Sequence, residues 1–346
     1  MERGAVEEAA VHSADVPTPL SLASRHRRPV VLTARIALSA LMFGVLLRRM
    51  PHFRFYDLLP DWNRDTAMFL ALAMVFTLAG IVLSTLRWRA VLSALGQDAK
   101  LGHLLSHNLA GLFVSNVLPT TIGGDVLRVS RLSRENGEST TSFASVVLER
   151  LTGWLVLPVI TLVGFLVNPG LRELGSATEV AVALAGGTLV ALLLVFVSVA
   201  SHQFGARVAG SDGWRRFAAA LHLGMERLRS HPAAAFHVLA VGFAYQLVLV
   251  IAALMAAKAV GMSVAVGPTA LLAFFPAVLI AQVLPISIAG LGVREGAFVL
   301  FLTPLGVRTE QAIALGLLLY LINVGVSLLG APAFAVGGRG RATLAA

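Results

Sequence analysis

The sequence predicts an all-α, polytopic helical membrane protein, built as an inverted repeat of about six full spans plus two re-entrant broken segments. Three observations predict it. Residues are 57% hydrophobic and 13% charged, with a mean hydropathy of +0.82, whereas a soluble chain carries about 25% charged residues. Several apolar runs approach the roughly 20 residues that cross a bilayer. A twelve-residue motif occurs twice, 166 positions apart, and each copy breaks an apolar run.

The elements follow in chain order. Residues 1–29 are polar, rich in Ala and Ser, and end Arg25-His26-Arg27-Arg28-Pro29. They read as a disordered cytoplasmic tail before an uncleaved first helix, since a cleavable signal peptide has a shorter apolar core set nearer the terminus. Full spans are expected at 30–47, 67–86, 143–168, 177–200, 233–258 and 311–336. The runs 104–118, 268–284 and 292–304 are too short to cross comfortably. The first two lead straight into the motif copies, so each is expected to enter the bilayer, turn, and leave on the same side. If 292–304 instead pairs with 268–284 as a full crossing, the count rises towards eight. The membrane region is 30–336, with repeat halves of about 30–168 and 177–336, and 337–346 is a short tail.

Charge orients the chain. The inner segments hold Arg25, Arg27, Arg28, Arg87, Arg89, Arg128, Arg131, Arg134, Arg207, Arg215, Arg216, Arg227, Arg229, Arg339 and Arg341, while outer segments 169–176 and 259–267 offer only Arg172. Cytoplasmic loops collect Arg and Lys, which puts the N-terminus inside an inner membrane. Segment 48–66, with Arg48, Arg49, Arg54 and Arg64, runs against the rule. Three full spans separate the motifs, and an odd number turns the second copy upside down. The net charge of +9 belongs to these loops and does not indicate nucleic-acid binding.

The motif copies are Val117 to Arg128 and Val283 to Arg294, identical at six positions, with Asn116 opposite Gln282 just upstream. Pro119 and Pro285 open helical backbone, and irregular backbone at membrane depth survives only where protein or a water-filled cavity satisfies it. Paired breaks in two halves point to a transport site. Gly123, Gly124, Gly290 and Gly292 let backbone N–H groups approach a ligand, and a helix starting just beyond aims its positive end at the break. Arg128 and Arg294 add planar forks suited to phosphate. The plainer alternative is a Pro-Gly kink with each Arg reaching back to the interface. Asp125 is a candidate helix cap or a proton-coupling carboxylate, and Glu295 a local charge balance for Arg294.

Ser145, Glu149 and Thr152 form one polar stripe in the span 143–168. Intramembrane charges usually face a cavity or a partner, so Glu149 and Arg150 are expected to balance or couple charge, with Arg128 or Arg294 as partner. Otherwise that helix starts near Leu151 and leaves both at the interface. Ser106, His107, Asn108, Tyr245, Gln246, Tyr320 and Asn323 read mainly as packing, Trp88 as an interfacial anchor, and Arg35 carries no assigned role.

Several chemistries are missing from the sequence. There is no cysteine, hence no disulfide or thiolate. Neither lysine, Lys100 or Lys258, follows a glycine as a phosphate-cradling loop requires. No His-Glu-x-x-His and no Asp-x-Asp string occurs. No catalytic residue, metal site or cofactor is expected.

The strings Pro119-x-x-x-Gly123-Gly124-Asp125-x-x-Arg128, Glu149-Arg150-x-x-Gly153 and Gly290-x-Gly292-x-Arg294-Glu295 together resemble the lysylphosphatidylglycerol synthase transmembrane-region family, also called flippase-like integral membrane proteins. The resemblance covers roughly residues 30–336. It implies translocation of an anionic lipid or lipid-linked headgroup between leaflets. In multiple-peptide-resistance members a similar region precedes a soluble aminoacyl-transferase domain, which is not expected here. Stand-alone members are linked to polyprenyl-linked sugars. The implied partner is therefore a membrane phospholipid or a polyprenyl-linked lipid, together with an enzyme that makes it. The alternative is a membrane component of a lipid-linked glycosyl or aminoacyl transferase system.

Overall fold

In the computed structural model, the residues described are 62–117, 123–201, 215–262, 267–283 and 290–336, with Leu41 and Gly44 as isolated positions. The expected span 30–47 otherwise lies outside them, as do the motif centres 118–122 and 284–289. Every regular element among the described residues is helical.

The first long helix, α1, spans Arg64–Ala94, and the Asn63 side chain caps it by accepting from the Thr66 N–H at 2.8 Å. It continues two turns past the apolar run, through Arg87 and Trp88, because both side chains find buried partners. Gly96, with φ of +76°, turns the chain into α2, Leu101–Val117. After the first break, α3 spans Gly123–Asn136. The second long helix, α4, spans Ser139–Val167 and carries Pro158. A short 3₁₀ turn, Pro169–Glu173, leads to α5, Ser176–Val199. Then come α6, Arg215–Ser230, and α7, Pro232–Ala259, whose proline stands at the tolerated first turn. The last group is α8, Pro268–Val283, α9, Val293–Leu302, α10, Thr309–Ser327, and α11, Gly330–Val336. Five helical stretches, 64–94, 139–167, 176–199, 232–259 and 309–336, are long and apolar enough to cross a membrane. They match five of the six expected spans, and the chain is an all-α polytopic membrane protein.

Shifting the chain by 166 positions lays α1 on α7, α2 on α8, α3 on α9, and α4 on α10 with α11. The repeat seen in twelve residues therefore runs through four helices. The equivalent helices α1 and α7 pack against each other and run antiparallel. Phe69, near the start of α1, meets Lys258, near the end of α7, at 5.4 Å. Arg87, near the end of α1, meets Tyr245 at 5.0 Å. An antiparallel pair of equivalent helices is the geometry of an inverted repeat.

Both broken segments are helical hairpins. In the first, His103 and His107 of α2 face Glu135 of α3, each at 3.5 Å. In the second, Phe275 stacks on Phe298 and Phe274 on Phe301, with centroids 6.3 and 5.3 Å apart. At roughly 1.5 Å rise per residue, α2, α3, α8 and α9 each fall short of a bilayer core about 30 Å thick. The hairpins open from opposite faces. The first shares its face with the ends of α1 and α6 and the start of α4, where Gln97 meets Glu138 at 3.0 Å. That face carries the exposed Arg89, Arg227 and Arg229, and is called the basic face below. The second hairpin starts beside the end of α4, where Asn168 donates to Thr269 at 3.0 Å.

Candidate functional site

The site assembles around Glu149, on the third turn of α4. A helix that begins at Ser139 carries Glu149 inside the protein, where it is 2% exposed, so the alternative start near Leu151 does not hold. Its Oε1 accepts from Arg87 Nε at 3.1 Å and also from Arg87 Nη2, and its Oε2 accepts from Arg128 Nη1 at 3.3 Å. Asp125, in the first turn of α3, accepts from Arg150 Nε at 3.1 Å and Nη2 at 2.9 Å, and from Arg128 Nη1 at 3.4 Å. Asp125 is thus a carboxylate partner for two arginines. Among the described residues, the carboxylates that Arg87, Arg128 and Arg150 meet are Asp125 and Glu149, so these five side chains carry one positive charge beyond balance.

Aromatic rings and glycines shape the cluster. The Arg128 guanidinium lies 4.2 Å from the Trp88 ring centroid, and Arg87 lies 5.0 Å from that of Tyr245. Trp88 is fully buried and donates from Nε1 to Ser145 Oγ at 3.1 Å. It is therefore a wall of the cluster, and the expectation of an interfacial anchor is corrected. A Cβ on Gly153 would sit 2.6 Å from Arg87 Nη1, so the missing side chain is what admits the guanidinium. Arg128 Nε and Nη2 and Arg87 Nη1 are buried and have no hydrogen-bond partner among the described residues. Leaving such donors unmatched costs about 1–3 kcal/mol each, which makes them the site's open donors.

The second motif copy is built differently. Arg294 is 7% exposed and Glu295 0%, and the two pair side by side, with Nε at 3.1 Å and Nη2 at 2.7 Å from Oε1. Glu295 Oε2 also accepts from the Gly292 N–H at 2.7 Å. Arg294 lies 5.2 Å from the Tyr320 ring centroid. The position equivalent to Glu149 is Leu315, and that equivalent to Arg87 is Ala253. This copy is charge-neutral.

Arg128 and Arg294 do not reach for the interface: at 4% and 7% exposure both are buried. Both helices start just after their breaks, α3 at Gly123 and α9 at Val293, so both aim an N-terminus at the break as expected. Gly290 and Gly292 have φ of +76° and +84°, a region open to glycine. Gly124 packs against Gly111 and Ser115. Asn116 donates to Leu112 O on its own helix at 3.2 Å, while a Cβ on Gly290 would lie 3.4 Å from Gln282 Oε1. Pro119 and Pro285 lie outside the described residues. Of Glu149's two suggested partners the structure brings only Arg128 to it; Arg294 pairs with Glu295. His107 and Asn108 serve packing, Asn108 donating to Thr85 Oγ1 of α1 at 3.0 Å.

Sequence reasoning missed Arg87, which it placed among the inner-loop charges. Nothing local separates Arg87 from Arg89, since the distinction is made by Glu149 on α4 and Tyr245 on α7.

Fold and site together define a polytopic α-helical membrane protein with a buried arginine–carboxylate cluster in one of two repeat halves. The sequence pattern described as the lysylphosphatidylglycerol synthase TM region matches residues 32–330, and the chain belongs to that family. Membership relates it to lipid modification or flipping. No curated protein matches the chain.

Proposed function

We propose that the protein translocates an anionic lipid or lipid-linked headgroup between the leaflets, through a polar path between its two inverted repeats, and is not itself an enzyme. The observation that carries this is the buried pair Arg87 and Arg128, which share the single buried carboxylate of Glu149 and keep open guanidinium donors. An excess buried positive charge is costly unless an anion visits it. A phosphate is the anion whose geometry suits two guanidinium forks.

Arg128 binds the phosphate from the first hairpin, and Arg294 receives it from the second. Glu149 and Asp125 keep the guanidiniums apart and oriented while the site is empty of lipid. Acyl chains stay in the bilayer. The basic face is cytoplasmic, in an inner membrane, by the excess of arginine there. The family description contains the word synthase, which favours a second reading: a membrane component of a lipid-linked glycosyl or aminoacyl transferase system, completed by a partner enzyme.

Liposomes holding purified protein test the first reading with headgroup-labelled phosphatidylglycerol, other phospholipids and a polyprenyl phosphate. Translocation above empty vesicles, lost in the Arg128→Gln/Arg294→Gln double variant, is expected. Translocation equal in the double variant and the parent would overturn the roles given to both arginines. Transfer from a labelled donor by the purified protein alone would favour the enzyme.

A further inference from the structure

We infer that the groove between α1, α6 and α7 at the basic face is a second, separate site, which docks the headgroup of an anionic phospholipid. The groove measures about 870 Å³, within the range of a small-ligand site. Arg89, Arg227, His231 and His237 line it, with Leu86 and Val241 among its apolar residues, and no Asp or Glu is in its lining. Arg89 is exposed and makes no ion pair among the described residues. Arg227 Nη1 donates to Leu95 O at the end of α1, which fixes that guanidinium at the rim. His231 Nδ1 lies 3.0 Å from Arg227 O, on the same edge.

The groove is distinct from the buried cluster by helix geometry. Leu86, Arg89, Ala90 and Ser93 follow the helical spacing of one face of α1, while Arg87 turns the other way into the protein. Likewise Val241 lines the groove, whereas a Cβ on its neighbour Gly242 would lie 3.5 Å from Arg87 Cδ. A free phosphate would use the cationic rim and leave the apolar floor bare. A phospholipid uses both, because the groove lies between two membrane-crossing helices. Val82 and Phe236, on the turns of α1 and α7 nearest the groove, are 41% and 74% exposed. Basic pockets between membrane helices at this depth suit anionic headgroups. The inference does not rest on translocation.

The test is lipid retention by purified protein in nanodiscs of phosphatidylcholine and phosphatidylglycerol, read by native mass spectrometry. Arg89→Gln should lower retained phosphatidylglycerol relative to phosphatidylcholine by about fivefold, the effect of one guanidinium near the membrane surface. Adding His237→Gln should lower it further. Both positions are exposed, and an unchanged melting curve confirms the fold. Equal retention in the double variant would overturn the proposal. Displacement of the lipid by millimolar inorganic phosphate would also overturn it, in favour of a soluble anion site. Retention is scored apart from translocation, so either reading can fail alone.

Discussion

Glu149 is a carboxylate buried deep in a membrane helix, tolerable only because two guanidiniums share it. Replacing it with Gln strips Arg87 and Arg128 of their common partner, and breaking a buried ion pair from one side costs about 3–5 kcal/mol. A clear fall in melting temperature in detergent is the expected outcome, and an unchanged melt would count against the network. Asp125→Asn should be milder, under about 1 kcal/mol, since the Arg150 side chain is 45% exposed and that of Asp125 22%. Gly153→Ala tests the same cluster by steric means. Its methyl would displace the Arg87 guanidinium, at about 1–3 kcal/mol, and the same melting assay reads it.

Hairpins and long helices interlock through glycines placed one repeat apart. Gly164 on α4 lies against α8, where a Cβ would sit 2.6 Å from Ala273 Cα. Gly330, exactly one 166-residue repeat later, lies against α2, where a Cβ would sit 2.6 Å from the Leu109 carbonyl carbon. The last helix of each half therefore rests on the hairpin of the other half. Gly164→Leu and Gly330→Leu should each wedge one such contact apart and destabilise by at least about 1–3 kcal/mol, measured by thermal unfolding. Wild-type stability in both would show that the close contacts are dispensable. Arg131 adds a tie of the same kind, donating to Ala333 O at 2.9 Å and Phe334 O at 3.0 Å and so closing the end of α11.

The inverted repeat has a consequence that labelling can reach, because the chain has no native cysteine. His103, where the first hairpin begins, and Thr303, where the second ends, lie on opposite faces. His103→Cys and Thr303→Cys should each react with a membrane-impermeant maleimide from one side only, and from opposite sides. Reaction from the same side would refute the inversion. The repeats differ in charge despite their common backbone, so their arginines should not be equivalent. Arg128→Gln removes a guanidinium from an unbalanced cluster, whereas Arg294→Gln leaves the buried Glu295 unpaired. In the liposome assay Arg128→Gln should reduce translocation at least tenfold with the smaller loss of stability, and Arg294→Gln should show the larger loss of stability. Identical profiles would argue against an asymmetric pathway.

The helical membrane class, the five described spans and the two short hairpins were legible in the sequence, because burial in lipid demands long apolar runs and closes every backbone hydrogen bond within the helix. The duplicated motif also named Arg128, Arg294 and Asp125, since a repeated break is a local pattern. Arg87, the buried role of Trp88, the glycine contacts between halves and the charge imbalance were not legible. Each depends on a partner tens of residues away: Arg87 finds its carboxylate 62 positions on, and Gly330 finds α2 across the whole molecule. Spacing along a chain encodes which face of a helix a residue occupies. Only packing decides what that face meets: it brings Arg87 and Arg128 together on Glu149, whereas the second copy, with Ala253 and Leu315 at the equivalent positions, leaves Arg294 to its neighbour Glu295.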